Sequence, residues 1–253
     1  MFDINTEYFN GYEWKRICDY TIGDKVLACQ GVNGESHLVE PVRIIMEDRL
    51  AGFYRYNGRM RSTLSDEHII VYKDGDELKE IKQKEIVDGF DKPIPASCYW
   101  VEGNLELSLN KMLEFLNSDI KEEYSKLYSL SYECRMELLN SIVNAEDTYY
   151  TYVWQKAILV YSLLAFSNEC APLCVRLRDK LYSVVWVSHK DTRGKGFYRT
   201  YHKNVGYHMV NGKKEKLPPF TSCVAKGEYG IILPDSYYLV CKNKNHIFIS
   251  GGY

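Results

Sequence analysis

Leu64-Ser65-Asp66-Glu67-His68-Ile69-Ile70-Val71-Tyr72 sets a short polar turn directly before an apolar, β-branched run. Such a run reads as a buried strand, and the turn delivers one histidine to its mouth. A histidine beside a hydroxyl at a strand entry suits proton transfer. The plainer reading is a satisfied structural histidine. Outward from this stretch the same polar-to-apolar step recurs. It is present upstream in Gly23-Asp24-Lys25-Val26-Leu27-Ala28 and near the far end in Asn245-His246-Ile247-Phe248-Ile249-Ser250.

The pattern up to about residue 95 predicts short strands at 25–29, 39–46, 52–56 and 69–72. Val32-Asn33-Gly34, Tyr56-Asn57-Gly58 and Lys73-Asp74-Gly75-Asp76 supply turns between them. Beyond residue 104 the apolar period changes to a helical one, over 105–116, 120–127, 131–144 and 153–166. Ser131, followed by Glu133 and Cys134, is placed to cap the third of these helices. Strand signals return at 175–181 and 182–187 and continue to the end. A β-rich, helical, β-rich order is what an insertion into a β domain produces.

The 253 residues suffice for one large or two small domains. A net charge of −2 gives no global sign of a nucleic-acid partner. The charge is uneven, however. Basic residues dominate between Arg176 and Lys216, among them Arg178, Lys180, Lys190, Arg193, Lys195 and Arg199. This reads either as a solvated face or as a surface for phosphates. Eight cysteines without regular spacing suit buried, reduced thiols, hence a reducing compartment, expected to be the host cytoplasm. The longest apolar stretch, 157–166, is too short for a membrane span, and the polar start does not resemble a signal peptide.

The outer segments resemble inteins, the protein-splicing members of the Hint fold shared with hedgehog autoprocessing domains. The resemblance is carried by Trp14-Lys15-Arg16-Ile17-Cys18-Asp19-Tyr20-Thr21-Ile22-Gly23-Asp24-Lys25-Val26-Leu27 and by Ser65-x-x-His68. Tyr229-Gly230-Ile231-Ile232-Leu233-Pro234, the stretch 238–240 and the stretch 246–250 complete it, most like inteins of phage proteins. It implies an α+β chain: an all-β Hint horseshoe shell interrupted by a mixed α/β insertion. The implied parts are a shell over 1–103 and 217–253 and an insertion over 104–216.

Splicing needs a Cys or Ser at position one to attack the preceding carbonyl, and a histidine to protonate the leaving amine. It also needs a terminal Asn that cyclises. The resemblance assigns His68 as the retained histidine, with Ser65 beside it. It puts Met1 at the nucleophile position, Gly230 where the closing block often has Cys or Asp, and Gly252 at the terminal Asn position. Gly251 takes the penultimate position and Tyr253 that of the downstream nucleophile. The expectation is a splicing domain impaired at its junctions, through natural decay or deliberate alteration, flanked by a host protein and using no cofactor.

The stretch 127–147 is similar to a LAGLIDADG homing-endonuclease helix. In that alignment Ser141 and Ala145 take small positions, and Glu146, with Asp147 next to it, takes the metal-binding acid position. A magnesium ion is implied if the nuclease is active. A single such helix must dimerise to act. The competing readings are therefore an active dimeric nuclease on double-stranded DNA, with the basic strands on phosphates, and a non-enzymatic Hint shell repurposed for binding.

Overall fold

The computed structural model describes residues 1–31, 34–56, 63–86, 92–144, 147–169, 174–176, 181–185, 197–199, 207–210, 213–216, 220–244 and 246–251. The fold is mostly β, with a few helices. In chain order the strands are β1 (Thr6–Phe9), β2 (Trp14–Arg16), β3 (Val26–Gln30), β4 (Glu35–Val39), β5 (Arg43–Tyr56), β6 (Thr63–Leu64), β7 (Ile69–Asp74), β8 (Glu77–Lys82), β9 (Pro93–Pro95) and β10 (Tyr99–Trp100). Helices α1 (Leu109–Asn117), α2 (Lys121–Tyr124) and α3 (Tyr132–Ile142) follow, then β11 (Thr148–Thr151) and α4 (Trp154–Phe166). The chain closes with β12 (Cys174–Arg176), β13 (Tyr182–Val185), β14 (Phe197–Arg199), β15 (Tyr207–Val210), β16 (Lys213–Lys216), β17 (Phe220–Ile232), β18 (Tyr238–Asn243) and β19 (His246–Ser250).

The main sheet runs β10-β4-β3-β18-β19-β7-β8, with β1 hydrogen-bonded to β18 and to β2. Strand alternation gives it two apolar faces. Phe9, Leu27, Cys29, Val240, Ile247 and Ile249 point to one core, which they share with Trp100, Tyr128 and the whole of α4. Tyr8, Val26, Ala28, Leu239, Cys241 and Phe248 point to the other, with Phe2, Leu64, Ile70, Tyr229 and Ile231. The helical segment therefore covers one face of the sheet directly. Trp14 Nε1 donates to Ser162 Oγ (2.9 Å), and Ile247 N donates to the Tyr161 hydroxyl (3.1 Å). From Ala157 to Phe166 α4 is buried on every side, and apart from Ser162 that stretch is apolar around the helix.

Three local expectations hold. Ser131 caps α3, its Oγ accepting from Cys134 N at 3.3 Å. The 74–77 hairpin turns on Gly75, whose φ of +65° is the left-handed region open to glycine. Helices are present at 132–142 and 154–166, inside their expected spans, and at 109–117, which overruns the expected 105–116 by one residue.

The strands expected at 39–46 and 52–56 are divided differently. Val39 ends β4, the chain turns at Pro41, and β5 runs unbroken through Ala51 and Gly52. Neither residue favours strand on its own, but pairing with β17 holds the backbone extended, Val224 opposite Gly52 and Ala225 opposite Ala51. The register shifts between Lys226 and Glu228, at Gly227, whose φ is +81°. A Cβ there would lie 2.2 Å from the Tyr229 ring, so this bulge requires glycine.

Candidate functional site

β6 hands the chain to the turn that ends at His68. That turn is closed by His68 N donating to Ser65 O at 3.0 Å. Residues 1 and 2 are threaded between β6 and β17. Phe2 N donates to Tyr229 O (2.8 Å) and Tyr229 N to Phe2 O (3.0 Å), while Ser65 N donates to Met1 O (3.0 Å). Phe2 also bridges Leu64. Met1 and Phe2 are consequently buried. Behind them a second set of bonds ties the first strand to the last pair. Asn243 Nδ2 donates to Asp3 Oδ1 and to Thr6 Oγ1, both at 2.9 Å.

The Met1 amine donates to Ser65 Oγ at 2.5 Å. Burial drives its pKa from 8.0 down to about 5, against the opposing pull of Glu228 and Glu67. His68 is 2 % exposed, and its ring meets the Phe2 ring edge-on at 4.5 Å. Burial, then the nearby Met1 amine, pushes its pKa well below 6.5, while a hydrogen bond to the Met1 backbone pulls the other way. On its other side, His68 Nε2 lies 2.5 Å from Ser250 Oγ. Ser250 is the last residue of β19, and Gly251 N donates to Ile69 O (3.2 Å). Residue 1 and Ser250 thus both lie at one imidazole.

Ser65, His68 and Met1 therefore come together. Gly230 joins them at the edge, since a Cβ added there would sit 3.8 Å from Met1 Cγ and 3.6 Å from Ile45. Gly252 lies outside the described residues. Ser250 was missed by sequence reasoning. A lone serine closing an apolar run carries no signal until the register sets it opposite Ile70 on β7.

Of the basic residues, Arg176 lies in β12 and Arg199 in β14. Arg178, Lys180, Lys190, Arg193 and Lys195 lie outside the described residues, as does Glu146. Asp147 is an exposed turn residue at φ +53°, its N–H donating to Asn144 O (3.0 Å). Among the described residues no three His, Cys, Asp or Glu side chains cluster as metal ligands, and no helix is long and apolar enough to cross a membrane. Helix α3 buries Cys134, Arg135, Leu138 and Leu139 and turns Glu133, Glu137, Asn140 and Ser141 to solvent.

No family model matches the sequence, and no curated protein matches it either. Among solved structures the chain is similar to a splice-inactive variant of the AceL NrdHF class 3 split intein, at 12 % identity and a TM-score of 0.40, with 100 % of this chain and 97 % of that one covered. It is also similar to a mutant of an Ssp DnaB mini-intein variant, at 8 % identity and a TM-score of 0.42, covering 100 % and 98 %. Scores this low carry no residue correspondence, so any functional reading rests on this chain's own geometry.

Proposed function

We propose that this chain is a protein-splicing-type domain whose reacting peptide is the one that precedes and includes residue 1. The observation that carries the proposal is the junction of the Met1 backbone, Ser65, His68 and Ser250 in one buried site. Chemistry at residue 1 needs its amine and carbonyl held still, a proton donor within reach, and water kept out. Ser65 Oγ sits on the amine, His68 is buried next to residue 1, and Phe2 closes over the ring. Host segments would then leave from the two neighbouring ends of the chain.

Met1 cannot form the ester, since its thioether has no proton to lose and acylation would leave a sulfonium. In this reading the chain as it stands cannot perform the acyl shift, although its proton-handling groups remain in place. The DNA-cleaving reading has no comparable support. The outward face of α3 presents Glu133, Glu137 and Asn140 beside the small Ser141, a mostly polar and charged face.

The test is to place a foreign segment before residue 1, install Met1→Cys, and measure thiol-induced cleavage at that junction. Cleavage that disappears on adding His68→Ala supports the reading. A folded Met1→Cys chain whose junction stays intact in thiol sinks it.

A further inference from the structure

We infer that Ser250 is a positioning residue for His68, a hydroxyl rotor that gives the buried ring a hydrogen-bond partner in both of its protonation states. The inference takes its functional meaning from the splicing reading above but rests on separate geometry. The two ring nitrogens face different kinds of group. With Ser250 on Nε2, the inference assigns the proton of the resting ring to Nδ1, on the side of residue 1. Nε2 faces a hydroxyl, which both donates and accepts.

When the ring is neutral, Ser250 O–H donates to Nε2 across 2.5 Å. When Nε2 takes up a proton, Nε2–H donates to Ser250 Oγ, and the hydroxyl hydrogen turns to Ile69 O, which lies 3.4 Å away. No heavy atom moves between these states. The charged ring can then release its Nδ1 proton toward residue 1 and finish neutral, with its remaining proton on Nε2 and still bonded to Ser250. A buried polar nitrogen without such a partner is costly.

Among the described residues few titratable groups bear on the ring. The Met1 amine faces it directly, Glu228 on β17 and Glu67 on the turn act on that amine, and Phe2 brings no charge. Ser250 is thus the polar group that the final strand contributes. Proton handling at residue 1 therefore depends on β19 being seated.

The experiment uses long-range proton–nitrogen NMR on the chain as it exists, beside Ser250→Ala and Ser250→Thr. At neutral pH the parent should show Nδ1 protonated and Nε2 as a hydrogen-bonded acceptor. Ser250→Ala should move the Nε2 resonance to the free-acceptor position, and Ser250→Thr should return it. A parent ring protonated at Nε2, or an Nε2 resonance indifferent to Ser250→Ala in a folded chain, overturns the inference. If Ser250→Ala does not fold, the parent tautomer and the threonine variant decide. In the Met1→Cys fusion, Ser250→Ala should slow cleavage about tenfold or more, with Thr restoring it. Cleavage absent from every variant, alongside the expected spectra, sinks the splicing reading and leaves the rotor standing.

Discussion

Gly251 lies against Ile69 so closely that a Cβ at position 251 would fall 2.4 Å from Ile69 Cγ2 and 2.8 Å from its Cβ. Any side chain at 251 must therefore push β7 away from β19, at the point where Gly251 N bonds Ile69 O. Gly251→Ala is expected to destabilise the fold by about 1–3 kcal/mol, an overpacking cost. Ile69→Ala in the same chain should recover part of that loss. Gly230→Ala is the contrasting case, since its new methyl would meet neighbours at 3.6–3.8 Å, ordinary contact. It should be neutral, or stabilising by up to about 1 kcal/mol through a less flexible unfolded chain. Urea titrations with matched slopes measure all three. Equal effects at 230 and 251 would contradict the packing described.

Stability should fall as the solution is acidified below pH 8. The Met1 amine has a folded pKa of about 5 against 8.0 when free, and His68 lies well below 6.5. Both are bases with depressed pKa values, so the unfolded chain takes up these protons first as pH drops. Their contribution is complete above about pH 8 and shrinks toward pH 5, at roughly 1.4 kcal/mol per pH unit for each group within its window. Urea midpoints at pH 8.5, 7 and 5.5 read this directly. Acetylating the N-terminus removes the first of the two slopes and leaves that part of the second that burial of His68 sustains. A midpoint that is flat or rises on acidification would mean the two groups are not buried as described.

The helices and the sheet should unfold as one unit. Phe9 of β1 packs on Phe166 of α4 with ring centroids 4.8 Å apart, and Trp14, Trp100 and Tyr128 complete the cluster. Phe166→Ala should cost about 3–5 kcal/mol. It should lower the helical signal and a tryptophan fluorescence signal at the same denaturant concentration. Two separated transitions in the parent would show that the helical segment stands by itself.

The legible parts were those whose cause is local. The Ser65-to-His68 turn, the Ser131 cap and the Gly75 hairpin each depend on a few adjacent residues. The illegible parts depend on partners far along the chain. The unbroken β5 owes its middle to β17, whose Val224 pairs with Gly52. Ser250 gains its role only when β19 lies beside β7. The periodicity of α4 said helix but not which surface it covers, and Trp14–Ser162 and Ile247–Tyr161 supply that answer from both ends of the sequence. Position 1 was assigned from the resemblance, yet what encloses it, the paired bonds to Tyr229 and Ser65, comes from two separate later segments.

That enclosure also imposes a schedule. The first strand, β1, has β18 as a neighbour, and Phe2 is bonded to Tyr229. Residues 1–9 leave the ribosome long before those later residues emerge. During synthesis the opening segment can pair with β2 and with β6 but lacks its partners on β17 and β18, and His68 waits without Ser250. The site around residue 1 closes only after nearly the whole chain has been made. The topology works as a clock, postponing any chemistry at the front of the chain until its rear has been translated.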